Sequence, residues 1–214
     1  MRITWFGHAC FRLVSDSGVT IITDPFDETV GYELPDEQAD IVTVSHQHFD
    51  HNYVQGVPGN PEVISKIGNF YVKDIPIKGI KSYHDDQGGN KRGINIMYVF
   101  DIDGIKVCHL GDLGHTLAGE QVEQIGDVDM LLVPVGGTYT IDARAAADVV
   151  ASLKPSIVIP MHYKTDRIDF PIDGVDKFLK IMGGGIHLNH HTLEVKKQDL
   201  EGKETRIMVL DYKS

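Results

Sequence analysis

Three short apolar runs in this chain each stop at a side chain able to hold a metal. Ile41-Val42-Thr43-Val44 leads into Ser45-His46-Gln47-His48-Phe49-Asp50-His51. Ile105 to Leu110 leads into Gly111-Asp112, and Ile157-Val158-Ile159-Pro160 leads into Met161-His162. Short β-branched runs bounded by polar residues have the pattern of buried strands. The carboxyl ends of strands in layered α/β proteins gather on one edge, where loops build sites. The chain must therefore fold into layers that can bring those ends together. The richest end carries His46, His48, Asp50 and His51 within six consecutive positions. Imidazoles and a carboxylate suit zinc or a similar borderline divalent metal. A merely solvated, His-rich loop would need no distant partners; a metal site does.

The rest of the chain reads as β structure with a few helices. Ile3 to Phe6 and Cys10 to Val14 form two strands joined at Gly7-His8, and Val19 to Thr23 is a third, ending at Asp24-Pro25. Proline there stops ladder pairing and leaves Asp24 at a strand end. Glu62 to Ile67 and Phe70 to Ile80 continue as alternating β structure, and His84 to Arg92 is a polar, Gly-rich loop. Asp103-Gly104 between two apolar runs is a hairpin signal. Gln121 to Ile125, Asp142 to Leu153 and Val175 to Met182 have helical patterns, with Asp142 a suitable N-cap. Thr192 to Val195 and Thr205 to Leu210 close the strand list. No Pro- or Ser-rich linker intervenes, so residues 1–214 are expected to form one α+β domain with two sheets face to face and helices outside.

Of 214 residues, 31 are acidic and 20 are Lys or Arg, a formal net charge of -11. That surface repels phosphate backbones, and with no basic cluster it disfavours a nucleic-acid substrate. Cys10 and Cys108 sit in apolar segments without a Cys-x-x-Cys spacing and read as small buried residues. No stretch approaches the roughly 20 apolar residues of a membrane span, and the amino terminus lacks a signal pattern. No membrane insertion and a cytoplasmic location are expected, and a homo-oligomer is left open.

The run His46-x-His48-x-Asp50-His51 resembles the signature of the metallo-β-lactamase superfamily of hydrolases. His84, Asp112 and His162 follow in the family's order, and Gly7-His8-Ala9 and Asp24-Pro25 extend the resemblance to nearly the whole chain. It looks closest to small bacterial metal-dependent hydrolases related to ascorbate-phosphate lactonases and N-acyl-phosphatidylethanolamine phospholipases. The resemblance implies a four-layer αββα sandwich of two similar halves with two divalent ions at one edge: zinc, or manganese, iron or nickel. It implies that His46, His48 and His84 hold the first ion, that Asp50, His51 and His162 hold the second, and that Asp112 bridges them. His109 competes with His84 as a ligand.

The implied reaction is hydrolysis of an ester, lactone, amide or phosphodiester bond in a small molecule. A metal-bridging water is acidified from about 16 to about 7, and Asp50 orients the hydroxide and accepts its proton. His8, Asp24, His115 and Tyr163 are candidates for substrate contact or support of the ligands, Asp24 because ligating imidazoles commonly donate their other N–H to a carboxylate. A binding or sensing module without turnover is one alternative, and iron redox chemistry is another. Gln47 weighs against the second, since di-iron relatives tend to carry Glu there.

Overall fold

A computed structural model describes residues 1–200, 202 and 204–213. Its first half contains strands β1 (Arg2–Gly7), β2 (Cys10–Val14), β3 (Thr20–Thr23), β4 (Ile41–Thr43), β5 (Glu62–Ile64), β6 (Gly68–Val72), β7 (Ile75–Tyr83) and β8 (Ile94–Ile102). There follow β9 (Ile105–His109), α1 (Gly119–Ile125), β10 (Met130–Pro134), α2 (Ala143–Leu153), β11 (Ile157–Met161) and α3 (Asp176–Met182). Strands β12 (Ile186–His187), β13 (Thr192–Glu194) and β14 (Arg206–Val209) end the chain. One sheet has the order β13-β1-β2-β3-β4-β5 and the other β12-β14-β11-β10-β9-β8-β7-β6.

The two sheets meet across a shared core. Trp5, Phe11, Leu13, Ile21 and Ile41 from the first join Ile77, Tyr98, Phe100, Val107 and Leu131 from the second in one buried cluster. Each such side chain contributes roughly 1.5–3 kcal/mol by leaving water. The Tyr98 hydroxyl on β8 lies 3.1 Å from the Val44 carbonyl oxygen and 3.0 Å from that of Ile64, so it ties the sheets together beside the His-rich loop. Helix α2 starts where the Asp142 carboxylate accepts from the Ala145 N–H at 2.9 Å and turns Ala146, Val149, Val150 and Leu153 inward. Such a cap is worth about 1 kcal/mol.

The outer face of the first sheet carries no α-helix among the described residues. Phe26, Val30, Tyr32, Val57, Ile168 and Ile172 cover Phe6, Cys10, Ile22 and Val42 there. The segment that supplies most of this cover is punctuated by Pro25, Gly31, Pro35, Gly56 and Pro58, which confines its helical turns to short 3-10 pieces at Glu28–Val30 and Val54–Gly56. The stretch read as continuous from Phe70 to Ile80 is instead a hairpin. It turns at Lys73 and Asp74, both in the left-handed region at φ 50° and 63°. The Asp103-Gly104 hairpin turns the same way, at 54° and 73°. No described helix is long and apolar enough to cross a membrane.

Candidate metal centre

Strands β1, β3 and β4 run in one direction, as do β7, β9 and β11 in the other sheet. Their carboxyl ends lead to His8, Asp24, Ser45-His46, His84, Asp112 and His162. Six strand ends thus deliver the cluster, and the loop after β4 adds His48, Asp50 and His51. Backbone conformation is bent to do so. His8, Asp24 and His162 take φ values of 51°, 41° and 50°, each costing on the order of 1–3 kcal/mol for a non-glycine residue.

Asp112 Oδ2 lies at the centre. It is 3.3 Å from Nε2 of His51, His84 and His162 and 4.0 Å from Nε2 of His46. Donor atoms of His8, Asp50, His51 and His162 form one mutual group within 4.8 Å, and those of His46, His48 and His84 form another. His46, His51 and Asp112 form a third that joins the first two. Two donors each 2.0–2.1 Å from a tetrahedral zinc stand about 3.3 Å apart, so the spacing suits ligands around an ion.

The outer hydrogen bonds set the tautomers. Asp24 is fully buried; its Oδ1 accepts from the Ser45 N–H at 2.7 Å and its Oδ2 from the Ser45 hydroxyl at 2.6 Å. His51 Nδ1 donates to the same Oδ2 at 3.0 Å, and His46 Nδ1 donates to the Ser45 hydroxyl oxygen at 2.9 Å. His46 is left with an Nε2 lone pair facing inward, His51 turns its Nε2 toward Asp112, and neither Nε2 has a hydrogen-bond partner; nor has Asp112 Oδ1. Buried polar atoms are nearly always paired. These orphaned atoms surround a common space and fit a cation.

The electrostatics agree. Burial, then the neighbouring His51, pushes the His46 pKa down to about 3, and burial followed by His162 takes His8 down to about 4. Burial also disfavours charge on His51, yet Asp112 and Asp24 outweigh it and hold that imidazole well above its ordinary value. Asp50 is lowered: burial opposes ionisation, but the hydrogen bond from His8 Nε2 at 3.1 Å and the adjacent His51 prevail. Three buried or half-buried carboxylates stand beside His8 and His46, two imidazoles that burial keeps from taking up charge, an arrangement that suits a cation at the centre.

Asp112 is aimed by a residue that sequence reading passed over. Asn95, buried on β8, accepts from the Asp112 N–H at 2.9 Å and donates to the Leu110 carbonyl at 2.9 Å and the Ser82 hydroxyl at 2.7 Å. Gly111 makes this approach feasible, at φ 54°; a Cβ there would lie 2.5 Å from Asn95 Oδ1 and 2.6 Å from Ser45 Cβ. Its only sequence signal was a polar residue inside an apolar strand.

The remaining candidates are placed elsewhere. His109 is fully buried and donates through Nε2 to the Ala9 carbonyl at 2.9 Å, outside all three donor groups. His115 accepts from the Tyr83 N–H at 3.2 Å and lines a separate hollow with Lys81 and Glu120. Tyr163 packs its ring 5.2 Å from Trp5, away from the metal-side cavity. That cavity, about 370 Å³, has Phe49, Arg92, Tyr139 and Phe170 around the donor side chains. Phe49, Arg92 and Phe170 were not singled out as site residues from sequence.

A sequence profile described as "Beta-lactamase superfamily domain" matches residues 2–162, ending on His162. A protein named a metal-dependent hydrolase from Thermoplasma acidophilum is 30% identical over 191 residues, covering 77% of this chain and 84% of its own. A second, from Thermoplasma volcanium, is 32% identical over 194 residues with the same coverages, 77% and 84%. Among solved structures, one from Thermotoga maritima, described as a candidate Zn-dependent hydrolase of the metallo-β-lactamase superfamily, superposes with a TM-score of 0.82. It is 44% identical, over 98% of this chain and 99% of that one. With its donor geometry and these relatives together, the chain belongs to the metallo-β-lactamase superfamily, in its branch of small proteins named metal-dependent hydrolases.

Proposed function

We propose that this protein is a hydrolase that uses two divalent metal ions to cleave an ester, lactone, amide or phosphodiester bond in a small molecule. The observation that carries the reading is Asp112 Oδ2 ringed by four imidazole nitrogens at 3.3–4.0 Å, with His46 Nε2 and His51 Nε2 left unpartnered. His46, His48 and His84 would hold one ion; Asp50, His51 and His162 would hold the other; Asp112 would serve both. Divalent ions bound there supply a water acidified to about pKa 7 and an electrophile for the substrate oxygen. Zinc suits the donors best, and manganese, iron and nickel accept the same set.

The protein's own groups do the rest. Asp50, kept ionised by His8, orients the attacking water and takes up its proton. Asp24, through His51 and Ser45, fixes two ligand rings so that nothing must reorganise when an ion enters. Phe49, Tyr139 and Phe170 give the cavity apolar walls that limit water around the reacting bond. Both sheets contribute to the site and to one core, which favours a single working domain over residues 1–214.

The test is metal analysis of the purified protein alongside turnover of chromogenic esters, lactones and bis-p-nitrophenyl phosphate. Two ions per chain and hydrolysis of at least one class are expected, with Asp112→Ala losing an ion and all turnover. Absence of turnover across the panel with zinc, manganese, nickel and iron would overturn the hydrolase reading, and unchanged metal content in Asp112→Ala would overturn the ligand assignment.

A further inference from the structure

The loop from His84 to Arg92 is held in shape by one side chain. Asp85 Oδ1 accepts from the N–H groups of Gln87 and Gly89, both at 2.8 Å, and its Oδ2 from those of Lys91 and Arg92, at 2.9 and 2.7 Å. The loop's base is pressed against the segment after Asp112: Gly114 N–H donates to the Tyr83 carbonyl at 2.9 Å, and a Cβ on Gly114 would stand 2.3 Å from the Asp85 nitrogen. The backbone of Arg92 is therefore fixed relative to both His84 and Asp112.

From that anchor the Arg92 side chain reaches over the cavity. Its Nη2 donates to the Thr138 carbonyl at 3.2 Å, and its Cζ sits 5.5 Å from the Tyr139 ring centroid. Thr138 is itself pinned in the left-handed region at φ 60°, with its hydroxyl donating to the Pro171 carbonyl at 2.7 Å. One loop, at Thr138-Tyr139, touches the guanidinium, and that loop is tied in turn to Pro171. A guanidinium has five N–H donors in a planar fork, and one is spent on Thr138. The adjacent Lys91 pairs with Asp86 at 3.5 Å. Arg92 has no carboxylate in salt-bridge reach among the described residues, in a chain where acids outnumber Lys and Arg by 31 to 20. It is the one Lys or Arg lining the cavity described above.

We propose that Arg92 is a substrate-recognition residue, and that the substrate carries a carboxylate or phosphate group which Arg92 grips beside the metal centre. The planar fork matches either anion in a two-point contact. Phe49, Tyr139 and Phe170 then receive the less polar part of the molecule. The turnover arm of the test rests on the hydrolase reading; the binding arm does not.

The experiment compares the metal-loaded wild type with Arg92→Gln and Arg92→Lys, with metal content and circular dichroism checked for each. In the binding arm, phenyl phosphate is titrated calorimetrically; Arg92→Gln should bind it at least tenfold more weakly, and Arg92→Lys should fall between. In the turnover arm, the ratio of kcat/KM for mono-p-nitrophenyl succinate to that for p-nitrophenyl acetate should drop at least tenfold in Arg92→Gln, mainly through KM. Equal phenyl phosphate affinity in wild type and Arg92→Gln, at equal metal content, overturns the proposal, as does an unchanged ratio between the esters. Should the wild type hydrolyse neither ester, the hydrolase reading is decided by its own wider panel, and the binding arm alone decides the role of Arg92.

Discussion

Around His51, the outer nitrogen is firmly held: Nδ1 is bonded to a fully buried Asp24, which Ser45 holds by two further bonds, and Nε2 is left facing Asp112. Around His48 and His84 the support is thin. His48 is exposed, its ring set against those of His46 and His84 at 4.6 and 5.1 Å between centroids. His84 Nδ1 has no partner among the described residues. The proposed ligands are thus supported unequally: His46 and His51 rest on the buried Asp24–Ser45 network, whereas His48 is exposed and His84, though buried, has no outer partner among the described residues. The difference teaches that burial and the outer hydrogen bonds, more than the ligand list, decide how firmly each ligand is preorganised.

The largest test of that contrast is stability without metal. His51→Ala leaves Asp24 in the core without its imidazole, and breaking such a buried pair costs about 3–5 kcal/mol. His48→Ala removes an exposed ring and should stay within about 0.5 kcal/mol. Urea unfolding of the metal-free variants measures both, and equal losses would erase the distinction. Next comes Asp24→Asn, which keeps the shape but withdraws the carboxylate from His51 and, through Ser45, from His46. Metal affinity should fall about 10–100-fold in competition with a chelating dye, and an unchanged affinity would mean Asp24 does not orient the ligands.

The smallest expected effect lies in the loop after His84. Burial works against ionisation of Asp85, but the N–H donors of Arg92, Gln87, Gly89 and Lys91 outweigh it and hold its carboxyl below the usual range. A carboxylate pKa depressed on folding contributes stability above the ordinary value of about 3.9, and that contribution is lost as pH falls through the lowered one. Amide protection at Gln87, Gly89, Lys91 and Arg92 should therefore persist at pH 5 and decline in more acidic solution ahead of that in β10. Coincident loss in loop and strand would show that Asp85 adds no local stability.

Much of the centre was legible before any coordinates. His46, His48, Asp50 and His51 are contiguous, and Asp112 and His162 stand where apolar runs stop, so strand ends alone proposed them. Asp24 was proposed on the same ground, and the proline that follows it pointed there. The choice between His84 and His109 was not open to pattern reading, because both lie at or near strand ends. His109 bonds the carbonyl of Ala9, 100 residues away in sequence, a contact no local pattern encodes. Asn95, Asp85 and Arg92 were hidden for a related reason. Each acts through backbone groups or loops that become neighbours only after folding, and each looked like an ordinary polar residue in its own segment.

The sequence by itself determined the donor types, the β-rich layering and the strand ends at which the donors stand, because periodicity and turn chemistry are local properties of the chain. Only the tertiary structure decided which donors share a centre, which histidine is left out, and which cation overlooks the cavity. Those outcomes depend on how six strand ends from two sheets are set against one another by ladder register and a common core. That geometry is fixed by contacts between residues far apart in the chain, and no single segment contains it.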